Sequence, residues 1–284
     1  MKTQDLVARV ARSFEQKVKE KLSPRLKSFY LVGSYILGKI SDQRPDINFL
    51  LVFDEFTGPQ DYLSVGEVCQ ALEKEFAKQA TIKIEFRPFR YIKPRFKNSL
   101  EVSVNPIIIS TGEIQAMGGV IMNKWMTEGL KSSYKLLLGE DVLSKMTVPP
   151  ITSGDLRQSG MMSLSFFSIP LSRAPAQYSD SEANLLLNES LTNAKNIIQL
   201  GVEATMEAEE LANKEFVKYI ENKNLLPKFY GERYGEEAQK MVTRVLEVRD
   251  KFLELKDNPE VAKEIFCAAL NLAALVRKKI LSLA

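Results

Sequence analysis

Phe29-Tyr30-Leu31-Val32-Gly33-Ser34, followed by Asp46-Ile47-Asn48-Phe49-Leu50-Leu51-Val52-Phe53, is the stretch that decides how this chain is read. The first run is apolar and closes on Gly-Ser. The second opens on an acid, an apolar residue and an amide, then runs apolar to its end. Each has the length and composition of a buried strand. A strand that ends on Gly-Ser and turns into a helix leaves backbone N–H groups unpaired at the helix start, and with the helix dipole behind them these suit a phosphate. Gly33 has no Cβ to hold a ligand away, and the Ser34 hydroxyl adds a donor. On the second strand, side chains alternate between faces, so Asp46 and Asn48 share one face while Ile47 and Phe49 take the other. Two oxygen donors beside an anion cradle describe a place for nucleotide-bound Mg²⁺, which takes one or two carboxylates and completes its shell with phosphates and water. The plain alternative is a corner, with Gly-Ser and Asp serving only as turn formers.

The spacing from Leu31 to Phe53 resembles the signature of the nucleotidyltransferase superfamily, the DNA polymerase beta-like fold. It is nearest to the small-molecule, aminoglycoside-type members that carry a helical C-terminal domain. The resemblance implies that Gly33 and Ser34 hold a triphosphate and that Asp46 is the first metal-binding acid. The family's second acid falls on Asn48, and there the match fails. Its third carboxylate comes from a later strand. Thr81-Ile82-Lys83-Ile84-Glu85-Phe86-Arg87 alternates as a half-buried strand should, so Glu85 is the candidate. The implied activity is transfer of a nucleoside monophosphate from Mg²⁺-bound ATP, or another nucleoside triphosphate, to the hydroxyl of a small-molecule acceptor. Leu136-Leu137-Leu138-Gly139-Glu140-Asp141-Val142 also resembles the Leu-x-Gly-x-Asp stretch that closes such domains.

Asn48 keeps an oxygen donor but removes a full charge. In the family, two or three carboxylates hold two Mg²⁺ ions that activate the attacking hydroxyl and stabilise the leaving pyrophosphate. At ~4 Å and an effective dielectric near 20, one unit charge on another is worth about 4 kcal/mol. Weakened metal binding follows, and two outcomes stay open. One is a slowed transferase. The other is an inactive module that keeps the fold and binds a nucleotide or another ligand without chemistry. A third reading is an interaction protein whose helical half makes the contact, with a homodimer as one form of it.

Composition bounds the rest. The 284 residues suffice for two compact domains. A net charge of +3 is too small to argue for nucleic acid. Cys69 and Cys267 sit in apolar helical patterns and read as buried thiols of a reducing compartment rather than a disulfide. No signal-peptide core opens the chain and no apolar run reaches membrane-spanning length, so a cytoplasmic location is expected. The chain has no histidine. That excludes Ser-His-Asp hydrolysis, Cys-His proteolysis and histidine-ligated zinc within it.

The order of elements predicts an α/β nucleotidyltransferase fold over 1–146, a linker at 147–154 and an all-α helical bundle over 155–284. Thr147-Val148-Pro149-Pro150-Ile151-Thr152-Ser153-Gly154 has linker composition. Before it, Leu6, Val7, Val10, Phe14 and Val18 form a helical stripe. Leu63, Val68, Leu72 and Phe76 form another, Val102 and Val104 suggest a strand, and 121–138 reads as a helix ending at Gly139. After it, three long helices are expected. One starts behind the capping-box spacing Ser179-Asp180-Ser181-Glu182, one spans Glu232 to Lys256, and one starts at Asn258-Pro259.

Lys83, Arg87, Arg90, Lys93, Arg95 and Lys97 are interleaved with Phe86, Phe89, Tyr91 and Phe96. This is either a phosphate-binding patch with stacking aromatics or a solvated strand edge and loop. Lys83 and Arg87 share Glu85's face and are candidates to flank a triphosphate or to neutralise Glu85. Arg44, in the loop before Asp46, is a further candidate phosphate contact. Trp125 reads as core.

Overall fold

The computed structural model describes residues 3–54, 57–86, 90–91, 94–117, 123–178, 182–213 and 215–282, with Phe86, Arg90, Tyr91, Ala176, Gln177, Ala208, Ile220 and Glu221 as backbone only. Arg87, Phe89, Lys93 and the Ser179-Asp180-Ser181 start signal lie outside the described residues. Internal packing divides the chain into two compact units, Met1–Val148 and Pro149–Ala284.

The first unit runs α1 (Thr3–Leu22), β1 (Leu26–Val32), β2 (Asp46–Phe53), α2 (Pro59–Phe76), β3 (Thr81–Phe86), β4 (Arg90–Tyr91), β5 (Glu101–Ser110), α3 (Thr111–Ala116), α4 (Lys124–Ser132), β6 (Tyr134–Gly139) and α5 (Val142–Lys145). Its strands form one mixed sheet in the order β4-β3-β5-β2-β1-β6. Strands β3, β5 and β2 are parallel, while β1 runs antiparallel to β2 and to β6.

Both faces of the sheet are covered, which is why β2 reads as an unbroken apolar run. One face carries Ile47, Phe49, Leu51 and Phe53 into a core with the α1 stripe and the buried residues of α2. Phe49 lies between Phe14, at 4.5 Å between ring centroids, and Phe29, at 5.6 Å. Such pairs add to the roughly 1.5–3 kcal/mol of fully burying a large apolar side chain. The other face carries Tyr30, Val32, Leu50, Val52, Ile107 and Ile109 against Ile114, Leu130 and Leu143 from α3, α4 and α5. Trp125 is buried, as its sequence setting suggested.

Three expectations for this unit are corrected. No helix follows Ser34. The chain folds back through turns instead, with Ile36 N–H donating to Gly33 O, Gly38 N–H to Tyr35 O and Lys39 N–H to Ser34 O. Gly38 has φ +66°, a left-handed conformation no helix continues through. The segment 121–138 is not one helix either: α4 ends at Ser132, and Tyr134–Gly139 is edge strand β6 on β1. A short Leu run fits both periods, and here pairing with β1 decides it. Leu63 is exposed on α2, whose buried face is made by Val65, Val68, Cys69, Leu72 and Phe76.

The Leu136–Val142 stretch is explained by turn and cap chemistry. Gly139 has φ +83°, and a Cβ there would lie 2.2 Å from Lys27 O. Asp141 caps α5 by accepting from Ser144 N–H and also accepts from the Tyr134 hydroxyl at 3.0 Å.

The second unit is helical throughout its described residues. A short α6 (Ser153–Asp155) passes through a π-helical turn (Leu156–Gly160) into α7 (Met161–Gln177). Then come α8 (Ala183–Glu203), α9 (Ala208–Ala212), α10 (Phe216–Glu221), α11 (Leu226–Tyr234), α12 (Glu236–Asp250), α13 (Phe252–Leu255) and α14 (Pro259–Leu281). Helix α8 packs against α14 and α7. The α14 start is as read from Asn258-Pro259, with Asn258 Oδ1 accepting from the Glu260 and Val261 N–H groups. Three expectations fail. Helix α7 was missed because Pro170 and Pro175 lie inside it. The span 232–256 is broken, since Gly235 at φ +95° separates α11 from α12. Cys267, expected to be buried, is exposed on α14; Cys69 is buried.

Carbonyls near and just past the C-terminal end of α8 are met from α11, as buried helix ends require. Tyr230 donates to Ile198 O, Tyr234 to Gly201 O and Arg233 to Thr205 O. Beside them Glu203 is fully buried, and its Oε2 has no hydrogen-bond partner among the described residues. Burial pushes its carboxyl well above the usual range.

Candidate functional site

The site is built where the parallel strands begin. Alternation puts Lys83 and Glu85 of β3, Glu101, Ser103 and Asn105 of β5, and Asp46 and Asn48 of β2 on a single face of the sheet. Register then sets them in rows. Ser103 pairs with Asp46 on one side and with Lys83 on the other. One step along, Asn105 pairs with Asn48. At the far end of that row β1 places Val32 opposite Asn48, so that Gly33 follows directly.

Side chains join across the row. Asn48 donates from Nδ2 to Asp46 Oδ2 at 3.2 Å. Asn105, with no exposed surface, donates from Nδ2 to Asn48 Oδ1 at 2.8 Å. The other end of the Asn105 amide lies 3.2 Å from Glu85 Oε2, and Ser103 Oγ donates to Glu85 Oε1 at 3.4 Å. An amide donates at one end and accepts at the other. A run of two amides therefore delivers an N–H to Asp46 or, with both amides turned over, to Glu85, but not to both at once.

Gly33 has φ +83°, and a Cβ on it would come 3.3 Å from Asn48 Nδ2. The Gly-Ser corner and residue 48 are thus neighbours, as the sequence spacing implied. Ser34 opens the turn that follows. Arg44 is partly buried and lies near enough to Lys83 to act on its charge. Lys83 is buried and ion-paired with Glu101. Burial pulls its amine below the ordinary lysine range, Glu101 opposes this most strongly, Arg44 adds to the lowering, and Glu85 opposes it. Arg87 lies outside the described residues. Of the same segment, Arg95 pairs with Glu73 of α2 at 3.6 Å, and Phe96 is exposed.

Three residues escaped the sequence reading: Glu101, Ser103 and Asn105. Their signal was present, since Glu101-Val102-Ser103-Val104-Asn105 alternates polar and apolar. Hidden was the crossover that inserts β5 between β3 and β2, so that Asn105 stands between the two expected carboxylates.

No family model and no curated protein matches this sequence. Among solved structures, a spectinomycin adenyltransferase from Enterococcus faecialis, crystallised with ATP and spectinomycin, is similar over 93% of this chain and 98% of its own, with a TM-score of 0.50 and 16% identity. The fold is a nucleotidyltransferase fold. At that identity the likeness carries the architecture and none of the enzyme's residues.

A nucleotidyltransferase fold implies Mg²⁺, and the donors can be tested against it. Among the described residues no three His, Cys, Asp or Glu side chains gather closely enough to hold a metal. Asp46 and Glu85 rise from strands two apart, and the Asn48 and Asn105 amides lie between their carboxylates. Asn48, at the second acid's position, has its oxygen engaged by Asn105. A resident pair of Mg²⁺ ions does not fit this set. Among the described residues, no helix is long and apolar enough to cross a membrane.

Proposed function

We propose that this chain is a nucleotide-binding protein on a nucleotidyltransferase fold, whose pocket is kept for binding and not for two-metal nucleotidyl transfer. The pocket comprises Gly33, Ser34 and Arg44 on the phosphate side, with Asp46, Asn48, Lys83 and Glu85 on the sheet. Residues 1–146 form the nucleotide domain, joined through 147–154 to a helical domain over 155–284. The observation that carries this reading is the Asn48–Asn105 hydrogen bond, which fills the ground between Asp46 and Glu85 with amides where transfer chemistry needs carboxylates. The ligand is ATP or another nucleoside triphosphate. The test is calorimetric titration of nucleoside triphosphates into the wild-type chain and into Ser34→Ala and Arg44→Ala. Saturable binding, weakened in both variants, supports the reading. No binding of any triphosphate at millimolar concentration contradicts it.

A second reading, transfer of the nucleoside monophosphate to a small acceptor's hydroxyl, draws on one finding. The solved neighbour crystallised with ATP and an antibiotic is similar along nearly the whole chain, helical unit included. Pyrophosphate release across a panel of hydroxylated amines and sugars separates the two readings.

A further inference from the structure

We infer that the outer edge of β6 is a self-association surface, where two copies of this chain join by antiparallel β6–β6 pairing about a two-fold axis.

The sheet ends at β6, and among the described residues no strand pairs with its outer side. An edge strand presents unpaired N–H and C=O groups to any strand that fits. Here the cores on both faces are open at that edge as well. Leu137 and Leu138 are only partly buried on one face of the sheet, Tyr134 and Leu136 on the other. A register shift between Phe29 and Tyr30 of β1 leaves Leu137 as an extra residue in β6. Such a bulge lets two successive residues share a face. An added strand would cover apolar surface on both faces besides satisfying the backbone groups of the edge.

Charge selects a second copy as that strand. Lys135 is exposed and has no ion-pair partner among the described residues. A lysine on an edge strand ordinarily blocks pairing. Glu140 extends the ladder by donating its N–H to Lys27 O, and its side chain is 54% exposed despite ion pairs with Lys27 and Lys145. Consider the two-fold register that sets Leu137 opposite Leu138 of the second copy. It also sets Lys135 opposite Glu140 of the second copy, twice per interface. The bulge keeps the faces in step: Lys135, Leu137, Leu138 and Glu140 share one face, Leu136 and Gly139 the other. Opposite charges directly across a strand pair stabilise it, and like charges oppose it. The lysine therefore turns away strands that lack an acid at that position and admits this one.

Sedimentation equilibrium of the wild-type chain at micromolar concentrations is expected to show monomer and dimer in exchange. Lys135→Glu sets like charges together twice across the axis and is expected to weaken the dimer by about tenfold or more. Adding Glu140→Lys restores opposite charges and is expected to restore the dimer. Circular dichroism melts check that each variant folds. If the double variant does not, salt decides, since screening the like charges is expected to recover the Lys135→Glu dimer. A wild-type chain that is monomeric at every concentration overturns the inference. So does a dimer indifferent to Lys135→Glu, which would lie on another surface, or one that neither the charge swap nor salt recovers.

Discussion

Asn105 donates to Asn48 across 2.8 Å from the directly opposed position on the adjoining strand, so that two buried amides stand between Asp46 and Glu85. The pairing makes residue 48 more than a lost carboxylate. Its amide is held at both ends, to Asp46 on its own strand and to Asn105 on the next. An acid substituted there meets Asp46 as a like charge and Asn105 as a donor. The site is thus settled around the amide, and a carboxylate placed there gains most when a cation accompanies it.

Two glycines separate function from framework. Gly33 and Gly139 share φ +83°, but a Cβ meets a side-chain nitrogen at 3.3 Å in the first and the backbone oxygen of Lys27 at 2.2 Å in the second. A left-handed non-glycine costs about 1–2 kcal/mol. Gly33→Ala is expected to lower the melting temperature by roughly 2–8 °C at about 2–4 °C per kcal/mol and to weaken nucleotide binding. Gly139→Ala is expected to lose at least twice as much stability, because β6 must separate from β1. Circular dichroism melts of the two variants give the comparison.

The Lys83–Glu101 pair predicts non-additivity. Removing one partner of a buried pair costs about 3–5 kcal/mol. The lower end applies here, since the Glu101 side chain keeps 20% of its surface in water. Lys83→Met alone and Glu101→Gln alone are each expected to destabilise more than the double variant does. Urea unfolding of the four proteins measures the coupling; additive losses would show that the pair is not formed.

How much of this was legible beforehand depends on which physics set each feature. Strands β1 and β2 were readable because burial on both faces writes itself as unbroken apolar runs, and Asn258-Pro259 because a cap is a local device. The neighbourhood of Gly33 and Asn48 was legible from spacing, since a strand, a turn and an antiparallel return leave few alternatives. Asn105 was not, for its role comes from a crossover, and no local pattern says that β5 will lie between β3 and β2. Strand β6 was lost to period ambiguity in Leu136-Leu137-Leu138, and α7 to two prolines that its packing overrides. The turn after Ser34 is set by Gly38, whose left-handed φ of +66° ends any helix started there.

Glu203 makes the stability of the helical unit depend on pH. Its folded pKa is raised above the unfolded value, so the carboxyl favours the native state while neutral. That contribution is complete below the unfolded pKa of about 4.3 and is lost as pH rises through the folded pKa. The slope within that window is about 1.4 kcal/mol per pH unit. Glu203→Gln is expected to remove this slope and to melt higher than wild type at pH 8. Equal pH dependence of melting in the two proteins would contradict the assignment.

The thiols are predicted to differ sharply. Burial, with the Glu73 charge adding to it, pushes the Cys69 thiol up to about 12, whereas Cys267 is exposed. A disulfide reagent at pH 8 is expected to modify one thiol quickly, with the second reacting only on denaturation. Mass mapping should place the fast label on Cys267.

The most direct measurement is calorimetry of ATP binding to wild type and Asn48→Asp across a Mg²⁺ series. If residue 48 lies at the metal edge of a nucleotide pocket, the added carboxylate should tighten binding at saturating Mg²⁺ by about tenfold or more, a gain of at least about 1.4 kcal/mol, and should weaken it in chelator. Identical Mg²⁺ dependence in the two proteins would contradict the placement of the site.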